Sequence, residues 1–280
     1  MKYELCTDYD TMFRNIVELT CDYVNKNNIQ TLVLGMSGGI DSTLCAALAC
    51  EVAARPDTGV RLEGLVLPIQ SNDVEMLRAE TAARAFCNNF EIKTMLEPYT
   101  VLNRHIIGLT ANPVDIRRGN IKARLRMIKL YDTAQKMNGL VLSTDNYTEY
   151  LLGFWTLHGD VGDYGMIQNL WKTEVYGLAN YLLNKYKKNN ELHKALALFE
   201  GIRAMPTDGL GVSKTDFDQI YPNYDKNSTP VQIYGEIDTT LLYYLKGDRS
   251  HAEDEMLKRH KATEFKRLNP FSIPRENLVG

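Results

Sequence analysis

The 280-residue chain carries little cysteine, little excess charge of either sign and no long apolar run. Its five cysteines, Cys6, Cys21, Cys45, Cys50 and Cys87, form no C-x-x-C pair and are odd in number. A disulfide framework or a thiolate zinc site is therefore not expected, and the thiols read as reduced packing residues of a cytoplasmic protein. The net charge is -3, so no overall basic field points to a nucleic-acid partner. Local Lys and Arg remain free to bind small anions. The first ten residues, MKYELCTDYD, have no apolar core of a signal peptide. The longest apolar stretch, Leu44 to Ala54, is interrupted by Glu51 and is too short to span a bilayer. No membrane association is expected. Gly-Lys-Ser/Thr occurs nowhere, which removes the Walker A loop, and there is no G-x-G-x-x-G dinucleotide fingerprint.

What is present is ordinary globular composition, 44% hydrophobic and 24% charged, arranged without repeats or low-complexity tracts. Apolar positions at Met12, Ile16, Leu19 and Tyr23 predict a helix over roughly the first 27 residues. Thr31 to Gly35 is a short apolar run that suits a buried parallel strand. A Gly-rich turn and a helix from about Asp41 to Ala54 follow. Further strands are predicted at Gly64–Leu67, Glu91–Met95 and Leu140–Leu142. Helices are predicted at Val74–Phe86 and Val114–Met137, and another begins at Asn146. Strand and helix alternate, which argues for an α/β fold with a doubly wound parallel sheet. Past about Tyr164 only helices are predicted, at Trp171–Tyr186, Leu192–Phe199, Val231–Leu245 and Ala252–His260. The tail from Pro270 to Arg275 is expected to be extended. The chain thus reads as one domain, with an α/β core over about 28–165 and a mainly helical remainder over 166–280.

The informative string is Gly35-Met36-Ser37-Gly38-Gly39-Ile40-Asp41-Ser42. It lies between a strand and a helix, at the carboxyl edge of the sheet, where open α/β folds bind ligands. Gly38 and Gly39 allow close backbone approach and turn amides toward an anion. Ser37 and Ser42 add hydroxyl donors, and the helix beginning near Asp41 offers its positive end to a phosphate. Asp41 would repel that phosphate unless a divalent cation lay between them, which assigns it to Mg²⁺.

The string S-G-G-x-D-S resembles the loop of the ATP pyrophosphatases, which cleave ATP between its α- and β-phosphates. Later segments narrow the resemblance: Gly119-Asn120 through Arg124-Leu125-Arg126-Met127, Ser143-Thr144-Asp145-Asn146 with Glu149, His158-Gly159-Asp160, Leu170-Trp171-Lys172-Thr173, Met205-Pro206-Thr207 and His260-Lys261. In this order and spacing, from about Asp8 to Pro274, they are similar to ammonia-dependent NAD synthetases. The resemblance implies ATP-dependent adenylation of nicotinic acid adenine dinucleotide (deamido-NAD), then attack by ammonia to give NAD, AMP and pyrophosphate. It also implies a homodimer. Carried over, it places ATP on Gly35 to Ser42, Thr144, Lys172 and Thr207, with Ser37, Asp41 and Ser42 nearest the chemistry. Mg²⁺ falls to Asp41 and Glu149, and deamido-NAD to Arg124, Asp163, His260 and Lys261.

The chain departs from the family pattern in three places. Leu157 stands where a lysine that touches the dinucleotide is common. Asp160 to Met166 replaces a Gly-Asp-Gly-rich stretch. The segment Asp208 to Ser213 is shorter than the acidic loop of relatives. No glutaminase constellation is found, so free ammonia is the expected nitrogen donor. The first two departures keep open a mononucleotide substrate, nicotinate mononucleotide. A non-catalytic adenine-nucleotide sensor is the alternative from another class, but it would have no use for both Asp41 and Glu149. GMP synthetases lack the later segments, and tRNA-modifying relatives bring a basic surface that is missing here.

Overall fold

The computed structural model describes residues 4–108, 115–207, 215–250 and 254–278. Within them, α1 (Tyr9–Lys26), β1 (Thr31–Gly35), α2 (Ile40–Ala53), β2 (Arg61–Val66), α3 (Asp73–Phe86) and β3 (Asn89–Ile92) come first. Then follow α4 (Leu96–Ile106), α5 (Asp115–Lys136), β4 (Gly139–Ser143), α6 (Tyr147–Leu152) and β5 (Tyr164–Gly165). The remainder is helical: α7 (Lys172–Lys188), α8 (Leu192–Arg203), α9 (Phe217–Ile220), α10 (Pro230–Leu245), α11 (Glu255–Ala262) and α12 (Glu264–Arg267). Among the described residues, no helix is long and apolar enough to cross a membrane.

The five strands form one sheet in the order β3-β2-β1-β4-β5, and every neighbouring pair is parallel. The central strands β1 and β4 are apolar on both sides because both faces are covered. Leu32 and Leu34 of β1 and Leu140 and Leu142 of β4 join a large core with α1, α2, α3, α7 and α8. Val33 and Val141 point the other way, into a smaller core with Met95, Tyr99 of α4, and Leu125 and Ala134 of α5. This is the doubly wound α/β architecture expected from the sequence, with a helical C-terminal part.

Chain order reverses between β1 and β4, so a crevice opens beyond their carboxyl ends, at the topological switch point. Two of the expected strands shift: those expected at Gly64–Leu67 and Glu91–Met95 lie at Arg61–Val66 and Asn89–Ile92. The helix α4 occupies a region for which the sequence predicts none. Residues 252 and 253, the start of the helix expected at Ala252–His260, lie outside the described residues, as does the shortened segment Asp208 to Ser213. The described helix runs from Glu255 to Ala262.

Candidate active site

The turn after β1 is held from both sides. Gly38 has φ +80, a left-handed conformation that favours glycine. A Cβ there would lie 2.7 Å from the Ala79 backbone nitrogen and 2.9 Å from the Glu75 carbonyl oxygen. The turn therefore rests directly against α3. Arg78 Nε of that helix donates to the Gly38 carbonyl at 3.3 Å. Gly39 is extended (φ -79, ψ 167) and forms the N-cap of α2. Ser37 Oγ and Ser42 Oγ are 2.9 Å apart, and the Gly39 amide donates to Ser37 Oγ at 3.2 Å. The result is a tight polar loop over the amino end of a buried helix, suited to an anion.

Across the switch point, Ser143 ends β4 and Asn146 caps α6. The Asn146 side chain accepts from the Glu149 amide, and the Glu149 carboxylate accepts from the Asn146 amide. This capping box fixes Glu149 in the first turn. Asn146 also reaches across the crevice, with Nδ2 donating to Asp41 Oδ1 at 2.9 Å. Lys172, at the start of α7, donates from Nζ to Asp41 Oδ2 at 2.6 Å and to Glu149 Oε1 at 2.9 Å. Its side chain is 2% exposed. Burial works against the ammonium, but Asp41 and Glu149 outweigh it and hold its pKa well above the usual lysine value. Burial raises the Glu149 pKa to about 7, against the pull of Lys172. Burial likewise pushes the Asp145 carboxyl well above its ordinary value, helped by the neighbouring charges of Asp160 and Glu149.

The loop after β1, Asp145, Glu149 and Lys172 line a cavity of about 530 Å³, a volume typical of a small-molecule site. Gly35, Met36, Ser37, Gly39, Ile40, Asp41, Ser42, Thr144, Glu149, Lys172 and Thr207 all face it. Gly38 supports the loop from beneath. Thr207 Oγ1 also donates to Glu75 Oε1, at 3.4 Å.

The residues assigned to the dinucleotide fall elsewhere, since none of the four is among those lining the cavity. Asp163 lies between a strand and a helix. Its carboxylate accepts from the Val141 amide at 3.0 Å and from the Tyr131 hydroxyl at 2.9 Å, so it ties β4 to α5. Arg124 points to the outer side of α5, where Nε and Nη2 both donate to the Leu157 carbonyl at 3.2 Å. His260 Nδ1 lies 2.7 Å from the Leu151 carbonyl, and burial lowers its pKa. Lys261 Nζ sits 5.7 Å from the centre of the Tyr244 ring.

Other charged groups line the cavity instead: Arg126, Asp145, Asp160, Arg259 and Lys266. Arg126 Nε donates to the Leu67 carbonyl at 3.0 Å, and Asp160 Oδ1 accepts from the Thr156 amide at 2.7 Å. Arg126, Asp145 and Asp160 stand inside strings that the sequence singles out, so position within those strings was the available signal. Arg259 and Lys266 carry no local signal. They reach the site because α11 and α12 fold back on α6, where Arg259 Nε donates to Leu152 O at 3.0 Å and Lys266 Nζ to Gly153 O at 2.7 Å.

Asp41 Oδ2 and Glu149 Oε1 converge on a single cationic nitrogen. That donor pair fits Mg²⁺, which is commonly held by one or two carboxylates together with substrate phosphates. Among the described residues, no group of three or more His, Cys, Asp or Glu side chains is arranged to hold a metal ion. Remaining ligands would have to come from a phosphate and water.

Comparison with known proteins gives a consistent picture. The family model for NAD synthase matches residues 12–270. An NH(3)-dependent NAD(+) synthetase of Finegoldia magna is 30% identical over 274 residues, covering 96% of this chain and 99% of that protein. An NH(3)-dependent NAD(+) synthetase of Thermococcus sibiricus is 35% identical over 178 residues, 62% of this chain, a stretch spanning just under two thirds (66%) of that relative. Among solved structures, an NMN synthetase from Francisella tularensis superposes with a TM-score of 0.74 at 25% identity, covering 95% of this chain and 98% of that one.

Proposed function

The chain belongs to the NAD synthase family, and from that premise we propose that it amidates deamido-NAD with ammonia, using ATP and passing through an adenylate. One observation carries the chemical part. A polar loop over a helix amino end, with Asp41 in that helix's first turn, faces Glu149 and a buried lysine across a single crevice. Amidating a carboxylate requires making it electrophilic, because its charge repels nucleophiles and oxide is a poor leaving group.

In this reading the β- and γ-phosphates of ATP rest on Gly35 to Ser42. The Gly39 region and the first turn of α2 supply backbone donors, and Ser37 and Ser42 supply hydroxyls. Thr144 and Thr207 border the same nucleotide. Asp41 and Glu149 would hold Mg²⁺, which neutralises phosphate charge when bound. Lys172 contributes a second cation to the same crevice.

With the pyrophosphate half anchored, a nicotinate carboxylate oxygen attacks the α-phosphorus in line, and pyrophosphate leaves. Ammonia then attacks the acyl carbon, and AMP leaves with the attacking oxygen. The protein contributes chiefly by holding three reactants in register. Arg126, Arg259 and Lys266 give the cavity wall the positive charge that an adenylate and a dinucleotide phosphate need. Arg124, His260 and Lys261 lie outside the cavity, so direct contacts from them would come with the homodimer that we also propose, which presents such surfaces to a neighbouring protomer.

The test is incubation with Mg-ATP, ammonium and deamido-NAD. NAD, AMP and pyrophosphate should appear in equal amounts, with ammonium used far better than glutamine. ADP and orthophosphate as products would overturn the reading. A second reading, the same amidation of nicotinate mononucleotide, rests on the likeness to the Francisella tularensis NMN synthetase. It also rests on Leu157 standing where a lysine is expected. The near-complete match to an ammonia-dependent NAD synthetase weighs for the dinucleotide. Turnover of the two nucleotides compared side by side separates them.

A further inference from the structure

We propose that Lys172 is a built-in counter-cation that keeps the Asp41–Glu149 pair closed to a divalent ion until a triphosphate draws its ammonium away. The inference rests on the reading of that pair given above and goes beyond it to the order in which ligands bind.

Each carboxylate has one oxygen tethered. Asp41 Oδ1 accepts from Asn146 Nδ2 at 2.9 Å, and Glu149 Oε2 accepts from the Asn146 amide at 3.3 Å. The remaining oxygen of each is given to Lys172 Nζ. A metal seeking this pair therefore meets an ammonium already seated between its two best donors.

The base of the lysine cannot follow its head group. The Lys172 amide is fixed by Thr148 Oγ1 at 2.8 Å, and that hydroxyl in turn donates to the buried Asp238. Any displacement of the ammonium therefore has to come from rotation of the side chain. If a divalent ion took both carboxylates, the ammonium would keep the face of the Tyr234 ring, whose centre lies 5.2 Å away. It would lose both of its anionic partners. Within this cluster, two carboxylates and one ammonium leave one negative charge, and a divalent ion alone would turn that into one positive charge. A buried, unpaired charge is strongly unfavourable. A triphosphate corrects the balance, because Lys172 lines the same cavity as the Ser37–Ser42 loop and can exchange carboxylates for phosphate oxygens. Metal and nucleotide then bind with positive coupling, each raising the affinity for the other by the same factor.

The test uses Mn²⁺, followed by the paramagnetic resonance signal of the free ion, with wild type, Lys172→Met and Lys172→Arg. No nucleotide is added at first. Lys172→Met removes the charge while keeping most of the volume, and it should bind Mn²⁺ roughly tenfold to a hundredfold more tightly than wild type. Lys172→Arg, which keeps the charge, should stay near wild type. Equal affinity in wild type and Lys172→Met overturns the proposal.

A second arm needs no variant and covers the case in which Lys172→Met does not fold. Saturating α,β-methylene-ATP should raise the Mn²⁺ affinity of wild-type protein about tenfold after correction for metal chelated by free nucleotide. Tight Mn²⁺ binding by wild type without nucleotide refutes the proposal while leaving the assignment of Asp41 and Glu149 standing. No protein-bound Mn²⁺ in any combination removes that assignment together with the proposal.

Discussion

Gly38→Ala should damage both the fold and the nucleotide loop, and the structure lets the size of the effect be worked out. The residue has φ +80, so any side chain there incurs the left-handed penalty, about 1–2 kcal/mol. The added methyl would also meet atoms that cannot move aside. Its Cβ falls 2.7 Å from Ala79 N and 2.9 Å from Glu75 O, both backbone atoms of α3. Forcing an extra carbon into such a contact costs a further ~1–3 kcal/mol. The sum, about 2–5 kcal/mol, is a large part of a typical domain's stability.

Urea unfolding should show that loss as a lower midpoint, and pyrophosphate release should fall because the loop must lift off α3 to relieve the clash. Gly39→Ala is the matched control. Its φ of -79 suits any residue, and its Cβ would meet only Ser37 Oγ, at 3.4 Å. It should lose about 1 kcal/mol as a poorer N-cap, yet impair ATP use because Gly39 lines the cavity. A Gly38→Ala protein with unchanged midpoint and unchanged turnover would refute the reasoning about how this loop is seated.

Three further outcomes are expected. The Asp238 carboxyl is fully buried, and burial lifts its pKa to about 6 despite donors from Thr148 and Thr173. Because the folded value lies above the unfolded one, this group's contribution is full below pH ~4 and falls by about 3 kcal/mol as pH rises through 6. Unfolding at pH 5 and 7.5 should differ by roughly 1.4 kcal/mol of that loss, and Asp238→Asn should flatten it. Asp163→Ala removes the acceptor for Val141 N and Tyr131 Oη and should cost about 1–3 kcal/mol of stability while leaving KM for deamido-NAD unchanged. It should also bring the Tyr131 phenol down from about 12, where burial and the Asp163 bond hold it, as read by ultraviolet titration. Arg267→Met deletes donors to Leu151 O at 2.7 Å and His260 O at 2.6 Å. It should destabilise the chain by about 2 kcal/mol and weaken ATP binding by loosening α6, measured by calorimetry.

The parts that local chemistry dictates could be read directly from the sequence. β1, the turn after it and α2 form one continuous string whose glycines, hydroxyls and carboxylate have meaning at fixed spacing, and the structure places them together. The alternation of Leu32, Val33 and Leu34 between two cores is likewise the reason the run from Thr31 to Gly35 reads as a buried strand. β3 was misplaced because it is an edge strand with little burial, so its register is set by pairing with β2 rather than by its own pattern. α4 went unseen because Tyr99 is its single buried residue. β5 has two residues and no periodicity to detect.

In the site, Lys172 was expected at the phosphates. Its bridge to Asp41, 131 residues away in sequence, is a long-range contact that no spacing encodes. Arg259 and Lys266 escaped for the same reason. Asp163 lies in a stretch that departs from the family pattern, and the bonds its carboxylate accepts from Val141 N and Tyr131 Oη are likewise contacts that no spacing encodes.

The most direct test of the central claim follows the oxygen. Deamido-NAD labelled with ¹⁸O in both oxygens of its nicotinate carboxylate is converted with Mg-ATP and ammonium, and the products are weighed by mass spectrometry. An acyl adenylate must pass one labelled oxygen to the phosphate of AMP and keep the other in the amide of NAD. AMP carrying one ¹⁸O beside unlabelled pyrophosphate is the predicted result. Unlabelled AMP, or label in orthophosphate released alongside ADP, would contradict the account.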